Sequence, residues 1–294
     1  MKDDLVKYNC LMRLVQIFGA ANPVIHDVIK YYGGPVSACE AIDSGKREFL
    51  NEKQVKNAKV VTPKIIDGVI GWCEKHEVKL ISLDEKDYPK LLKEIYNPPV
   101  ILFYRGTFDC LKRLPLTVVG ARKITPYIGK ITARICSDLS ERGVTIVSGL
   151  ADGVDSVAMN ACIRNNNPCV GVLACGISYE YPRGTFPLRR STVLNGGLIL
   201  TELLPNVSPS VEYFDARNRI MAGLSKGTAV FQADKISGAL ITANHAVQEG
   251  RDVFCVPPPD IFEEKYAGVV SLLRDGAIPL FNHDDILKFY RENY

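Results

Sequence analysis

Six short apolar runs recur after residue 115, at 117–121, 145–149, 169–175, 197–202, 228–233 and 252–257. Most are continuous apolar runs, the pattern of parallel strands covered on both sides. Amphipathic helical stretches separate them, as at 129–142 and 239–250. Strand–helix alternation of this kind predicts an α/β domain with a Rossmann-like, doubly wound, mostly parallel sheet. Ligands of such sheets gather outside the carboxyl ends of the strands, so the loops after each run hold the candidate site.

The chain before that domain reads differently. Leu11, Leu14, Val15 and Phe18 recur at helix spacing and Gly19 stops the helix. Asn22-Pro23 opens a second helix that ends at Gly33-Gly34; residues 37–42 and the segment after Thr62-Pro63 follow as short helices. Residues 1–75 are therefore expected to form a small all-helical N-terminal domain, and 76–294 the Rossmann-like domain. A connector over 76–114 should carry a strand at 78–82, a short helix opened by Asp87-Tyr88-Pro89, and a strand at 100–104 closed by Gly106. A last helix is expected at 284–290.

Composition narrows the function classes. Of 294 residues, 47% are apolar and 23% charged, ordinary for a soluble globular chain. No run reaches the length of a membrane helix, and the start carries acids where a signal peptide would be basic and then apolar, so a cytoplasmic protein is expected. Nine cysteines, an odd number without zinc-site spacing, read as reduced core thiols. Four histidines form no spaced ligand pair, so no metal is expected. A net charge of +3 is too small to announce nucleic-acid binding without a local basic face.

Four loops stand out. Gly120-Ala121-Arg122-Lys123-Ile124-Thr125-Pro126-Tyr127 follows the first run and opens a helix. A helix N-terminus, a glycine and an arginine fork suit a phosphate. Ser148-Gly149-Leu150-Ala151-Asp152-Gly153-Val154-Asp155 follows the second run; Ser148 and the backbone N–H groups could hold an oxyanion, or Asp155 could simply cap the next helix. Arg217 and Arg219 flank Asn218 at an expected helix start, where cations oppose the dipole unless an anion is bound. Ser237-Gly238 opens another helix. Together these predict an elongated anion site. Catalytic signatures are missing: there is no Gly-x-Ser-x-Gly elbow, P-loop or Gly-x-Gly-x-x-Gly, and only Glu202 and Asp155 read as strand-end carboxylates that could serve as acid or base.

The chain resembles the bacterial DNA-processing protein A family, also called Smf. The matching motifs are Val119-Gly120-Ala121-Arg122 with Thr125-Pro126-Tyr127, Ser148-Gly149-Leu150-Ala151 with Gly153-Val154-Asp155, Tyr181-Pro182, Arg217-Asn218-Arg219-Ile220 with Ala222-Gly223-Leu224-Ser225, Ser237-Gly238 with Leu240-Ile241-Thr242-Ala243, Glu249-Gly250-Arg251, and Leu273-Arg274-Asp275-Gly276-Ala277. The helical N-terminus is similar to the family's sterile-alpha-motif-like or helix-hairpin-helix-like domain.

The resemblance implies an extended Rossmann fold that binds single-stranded DNA without sequence preference. It further implies protection of incoming DNA in natural transformation, loading of the RecA recombinase, a homodimer, and no nucleotide cofactor or enzymatic activity. The implied DNA contacts are Gly120, Arg122, Lys123, Thr125, Ser148, Gly149, Arg183, Arg217, Asn218, Arg219, Ser237 and Gly238, while Arg251 and Arg274 read as structural partners of acids. The chain departs from the family at Ala121, Ile128, Asp152, where an arginine is usual, and Met159, where a histidine is usual; Arg183, Arg189 and Arg190 stand near enough in sequence to compensate. The frequent C-terminal winged-helix-like domain is expected to be absent. Two other readings stay open: a nucleotide phosphoribohydrolase-like enzyme of related fold, and a degenerate paralogue with weak DNA binding.

Overall fold

The structure, a computed structural model, describes residues 2–293. Five helices open the chain: α1 (Lys2–Phe18), α2 (Val24–Tyr32), α3 (Pro35–Asp43), α4 (Glu52–Val60) and α5 (Pro63–Lys75). Helix α4 was not anticipated. Its apolar stripe is thin, and a capping box between Asn51 and Gln54 defines its start instead. Arg13, buried on α1, ties the module together with two bonds of 3.0 and 2.6 Å to Asp43.

The remaining elements, in chain order, are β1 (Lys79–Ser82), α6 (Lys90–Lys93), β2 (Ile101–Gly106), β3 (Leu114–Val119), α7 (Pro126–Glu141), β4 (Val144–Ser148), α8 (Val154–Arg164), β5 (Cys169–Val172), α9 (Phe186–Leu194), β6 (Leu198–Thr201), α10 (Val211–Leu224), β7 (Gly227–Val230), α11 (Gly238–Gln248), β8 (Asp252–Cys255), α12 (Ala267–Arg274), β9 (Ile278–Pro279) and α13 (His283–Asn293). They build one nine-stranded sheet of order β1-β2-β6-β5-β4-β3-β7-β8-β9. Strands β3 to β9 run parallel, and β1 and β2 add an antiparallel extension next to β6. The connector strands thus belong to the main sheet.

Side chains alternate between two cores with the strand period of two. Leu116 and Val118, Val144 and Ile146, and Phe254 point to one face, where α7, α8, α9 and α13 supply Ile135, Leu139, Ala158, Leu188 and Ile286. Val119, Val147, Val170, Val172 and Val230 point to the other, against Ile220, Met221, Ala243 and Val269. Both faces are covered, which makes the sheet doubly wound. The helical module shares the first core through Val78, Val100, Ile101 and Phe103, so it is packed on the sheet and has no separate interior. All nine cysteines are buried and unpaired.

Candidate nucleic-acid interface

The chain winds from β3 outward through β4, β5 and β6, then returns to place β7 on the other side of β3. That reversal is a topological switch point, which opens a crevice at the carboxyl ends of β3 and β7. A cleft of about 270 Å³ lies there. Of the residues expected from sequence, Gly120, Arg122, Arg217, Asn218, Ser237 and Gly238 line it.

The walls are braced by Gln232, which has no earlier assignment, and by Thr125 and Gly153 of the two loops. Gln232 holds the first loop: its backbone carbonyl accepts from Ala121 N–H at 2.8 Å, its Oε1 from Thr125 N–H at 3.3 Å, and its Nε2 donates to the Lys123 carbonyl at 3.2 Å. Thr125 caps α7 by accepting from Ile128 N–H at 3.2 Å. Gly153, at φ 83°, sits so close to the carbonyls of Ala121 and Arg122 that a Cβ would strike them, which seats the second loop on the first.

The second loop corrects two expectations. Ser148 is buried and donates to the Val118 carbonyl at 2.7 Å, so its hydroxyl is not offered to a ligand. The carboxylate of Asp155 turns back and accepts from Gly149 N–H at 3.0 Å and Ala151 N–H at 3.4 Å. It neither caps α8 by a conventional N-cap bond nor leaves those N–H groups to an oxyanion. Burial pushes the Asp155 carboxyl above its ordinary range, opposed first by the nearby Arg217 charge.

The arginines need a larger correction. Arg217 and Arg219 do not start a helix; they sit in the middle of α10, which begins at Val211. The conflict with the helix dipole therefore disappears and a different one replaces it. Arg217 is buried, and its donors meet only neutral acceptors: the carbonyls of Gly149 at 2.6 Å and Val172 at 3.1 Å, and Oδ1 of Asn218 at 3.1 Å. Among the described residues no carboxylate lies within 4.0 Å of it, and its Nη2 donates to no protein group. Burial lowers its affinity for the proton; Asp155 opposes that, and Arg122 adds to it.

Phe214 joins the two arginines. The guanidinium of Arg122 lies 5.4 Å, and that of Arg217 5.9 Å, from its ring centroid, within cation–π range. Tyr181 meets the same ring edge-on at 6.1 Å. The signal was present in the sequence, since Phe214 precedes Arg217 by three residues and shares its helix face. Two cations on one aromatic ring at the mouth of a cleft, one of them buried without a contacting acid, have the chemistry to hold an anion.

Residues 79–291 match the family model described as DNA recombination-mediator protein A. The chain belongs to that family. It is 35% identical over 221 residues to DNA processing protein DprA of Bacillus subtilis (strain 168), covering 75% of this chain and 74% of that protein. Its fold matches the X-ray structure of DNA processing protein A from Streptococcus pneumoniae with a TM-score of 0.78 and 31% identity, over 94% of this chain and 95% of that one. DNA processing protein A of Helicobacter pylori, a structure described for its single-stranded DNA binding mode, matches with a TM-score of 0.66 and 27% identity, over 74% of this chain and 97% of that one.

The remaining family positions separate in space. Arg219 leaves the cleft altogether: it makes a buried bidentate pair with Glu202, at 3.1 and 2.7 Å, beside Asn97 and the helical module. Lys123 is exposed on the first loop. Arg183 is exposed beyond the cleft, next to Gly184, against which the Asp152 carboxylate lies. Arg189 cannot offset Asp152, because it is buried and donates to the carbonyls of Tyr179 at 2.7 Å and of Tyr181. Met159 is fully buried within α8, so the departure there concerns the core and not the rim. Arg251 pairs with Glu94 at 3.3 Å.

Proposed function

We propose that this protein binds single-stranded DNA without sequence preference and acts as a recombination mediator. It protects incoming strands in natural transformation and promotes loading of the RecA recombinase, as a cytoplasmic homodimer and without an enzymatic step. The observation that carries the reading is Arg217, buried at the mouth of the cleft with an unused donor and no contacting carboxylate, beside the exposed Arg122. A strand phosphate supplies the contacting anion that no carboxylate provides. The binding mode named for the Helicobacter pylori relative supports the single-stranded form of the ligand. Glu202 is committed to Arg219 and Asp155 to loop N–H groups, so neither is free for acid–base chemistry, which favours binding.

The test is a fluorescence-anisotropy titration against labelled oligo-dT and its duplex at two salt concentrations. Tighter binding of the single strand, weakened steeply by salt through counterion release, is the expected result. Equal or absent binding of both overturns the reading. Nuclease digestion of the bound strand reads the protection, co-purification reads the RecA contact, and light scattering reads the dimer. A second reading, a paralogue with weakened DNA affinity, rests on the exposed Asp152 carboxylate; restoration of tight binding by Asp152→Arg would support it.

A further inference from the structure

A second basic groove lies at the opposite end of the sheet from the cleft. It occupies about 790 Å³ between β1, β2 and the start of α6. Its position is fixed by Gly106, which pairs with Leu198 at the first residue of β6, and by Leu224 at the last residue of α10. Both mark the amino ends of the parallel strands.

Four lysines line this groove: Lys79, Lys86, Lys90 and Lys112. All are exposed. Only Lys112 has an ion-pair partner, Asp109; among the described residues Lys79, Lys86 and Lys90 have none within 4.0 Å. Asp87 and Asp109 leave the lining with an excess of positive charge. Between the lysines stand two half-buried rings, Tyr104 and Phe108, tilted against each other with centroids 4.5 Å apart. Cations spaced along a groove with aromatic faces at its floor are the chemistry that takes a single nucleic-acid strand, phosphates on the ammonium groups and bases on the rings.

We propose that this groove is a second contact for single-stranded DNA, engaged when a strand is long enough to leave the cleft and pass to the other end of the sheet. The inference rests on the reading of the cleft as a strand site. A longer strand then binds more tightly than a short one because its second contact is intramolecular.

The experiment compares anisotropy titrations of the full chain with oligo-dT of about six and about thirty nucleotides, the shorter within the range of a single strand-binding site. Four proteins are used: wild type, the triple variant Lys79→Gln/Lys86→Gln/Lys90→Gln, the control triple Lys56→Gln/Lys59→Gln/Lys64→Gln on the helical module, and Arg122→Ala. The proposal expects the groove triple to keep wild-type affinity for the short strand. On the long strand it should lose about tenfold, with a salt slope shallower by about two. An unchanged long-strand affinity, or an equal loss in the control triple, overturns it while leaving the cleft reading intact. Loss in the groove triple with Arg122→Ala unaffected overturns the cleft reading, and with it the groove as a second contact to the cleft. No binding by wild type to either strand overturns both.

Discussion

The guanidinium of Arg217 lies where Gly149 would carry a Cβ. The same guanidinium donates to the Gly149 carbonyl. The absence of a side chain at 149 is therefore what admits the buried cation to the carboxyl end of β4 and aims it at the cleft. Gly149 contributes to the site by space, with its own N–H already given to Asp155.

Gly149→Ala tests this directly. The new methyl group must displace a guanidinium held by three acceptors, an overpacking cost of about 1–3 kcal/mol. Thermal melting should show that loss, and affinity for oligo-dT should fall with it. Unchanged melting and affinity would show that Arg217 is freely displaced.

The Arg219–Glu202 pair should behave differently. Glu202→Gln leaves a buried cation unmatched and should cost about 3–5 kcal/mol in chemical denaturation, whereas Arg219→Met with Glu202→Leu recovers much of it. In both, the folded protein should bind oligo-dT as wild type does. Loss of DNA affinity in the double variant at full folding would return Arg219 to the binding site.

Gln232 is expected to order the first loop. Gln232→Ala removes the bonds to Thr125 N–H and the Lys123 carbonyl, a loss of about 1–2 kcal/mol. Hydrogen exchange should accelerate at 123–125 and DNA affinity should weaken. Unaltered exchange there would contradict the brace.

Glu85 should make docking of the helical module sensitive to acid. It accepts from Tyr8 Oη at 2.6 Å, Ser82 Oγ at 2.7 Å and Ser82 N–H at 2.9 Å. Burial pushes its carboxyl up, but the bonds from Tyr8 and Ser82, with the Lys7 charge, outweigh burial and hold it below the ordinary range. A depressed folded value means that the stabilisation is complete above the unfolded pKa of about 4.3 and fades as pH falls through the folded one. Glu85→Gln should therefore melt below wild type at pH 7, and the gap should close on acidification. A gap independent of pH would refute the assignment.

The strands were legible because each is a continuous apolar run, and the convergence of the loops at 120 and 237 followed from topology alone. Strand ends were less so: the run at 169–175 stays buried past the end of β5 at Val172. Helix α4 lacked the apolar stripe that reveals a helix. Helix α10 begins at Val211 without a side-chain cap, so the sequence does not mark its start or show that the two arginines lie mid-helix, where residues two apart point about 200° apart. One therefore faces the cleft and the other the helical module, and only the position of Glu202 shows which. The bracing by Gln232 and Asp155 depends on long-range contacts that leave no local pattern.

Arg122 and Arg217 are expected to meet strand phosphates in one cleft. The most direct measurement is the salt dependence of oligo-dT binding by wild type and Arg122→Ala, an exposed substitution that should leave melting unchanged. The variant should bind every sequence more weakly, with a slope of log affinity against log salt shallower by about 0.7, one phosphate contact fewer. An Arg122→Ala protein with the affinity and slope of wild type would contradict that expectation.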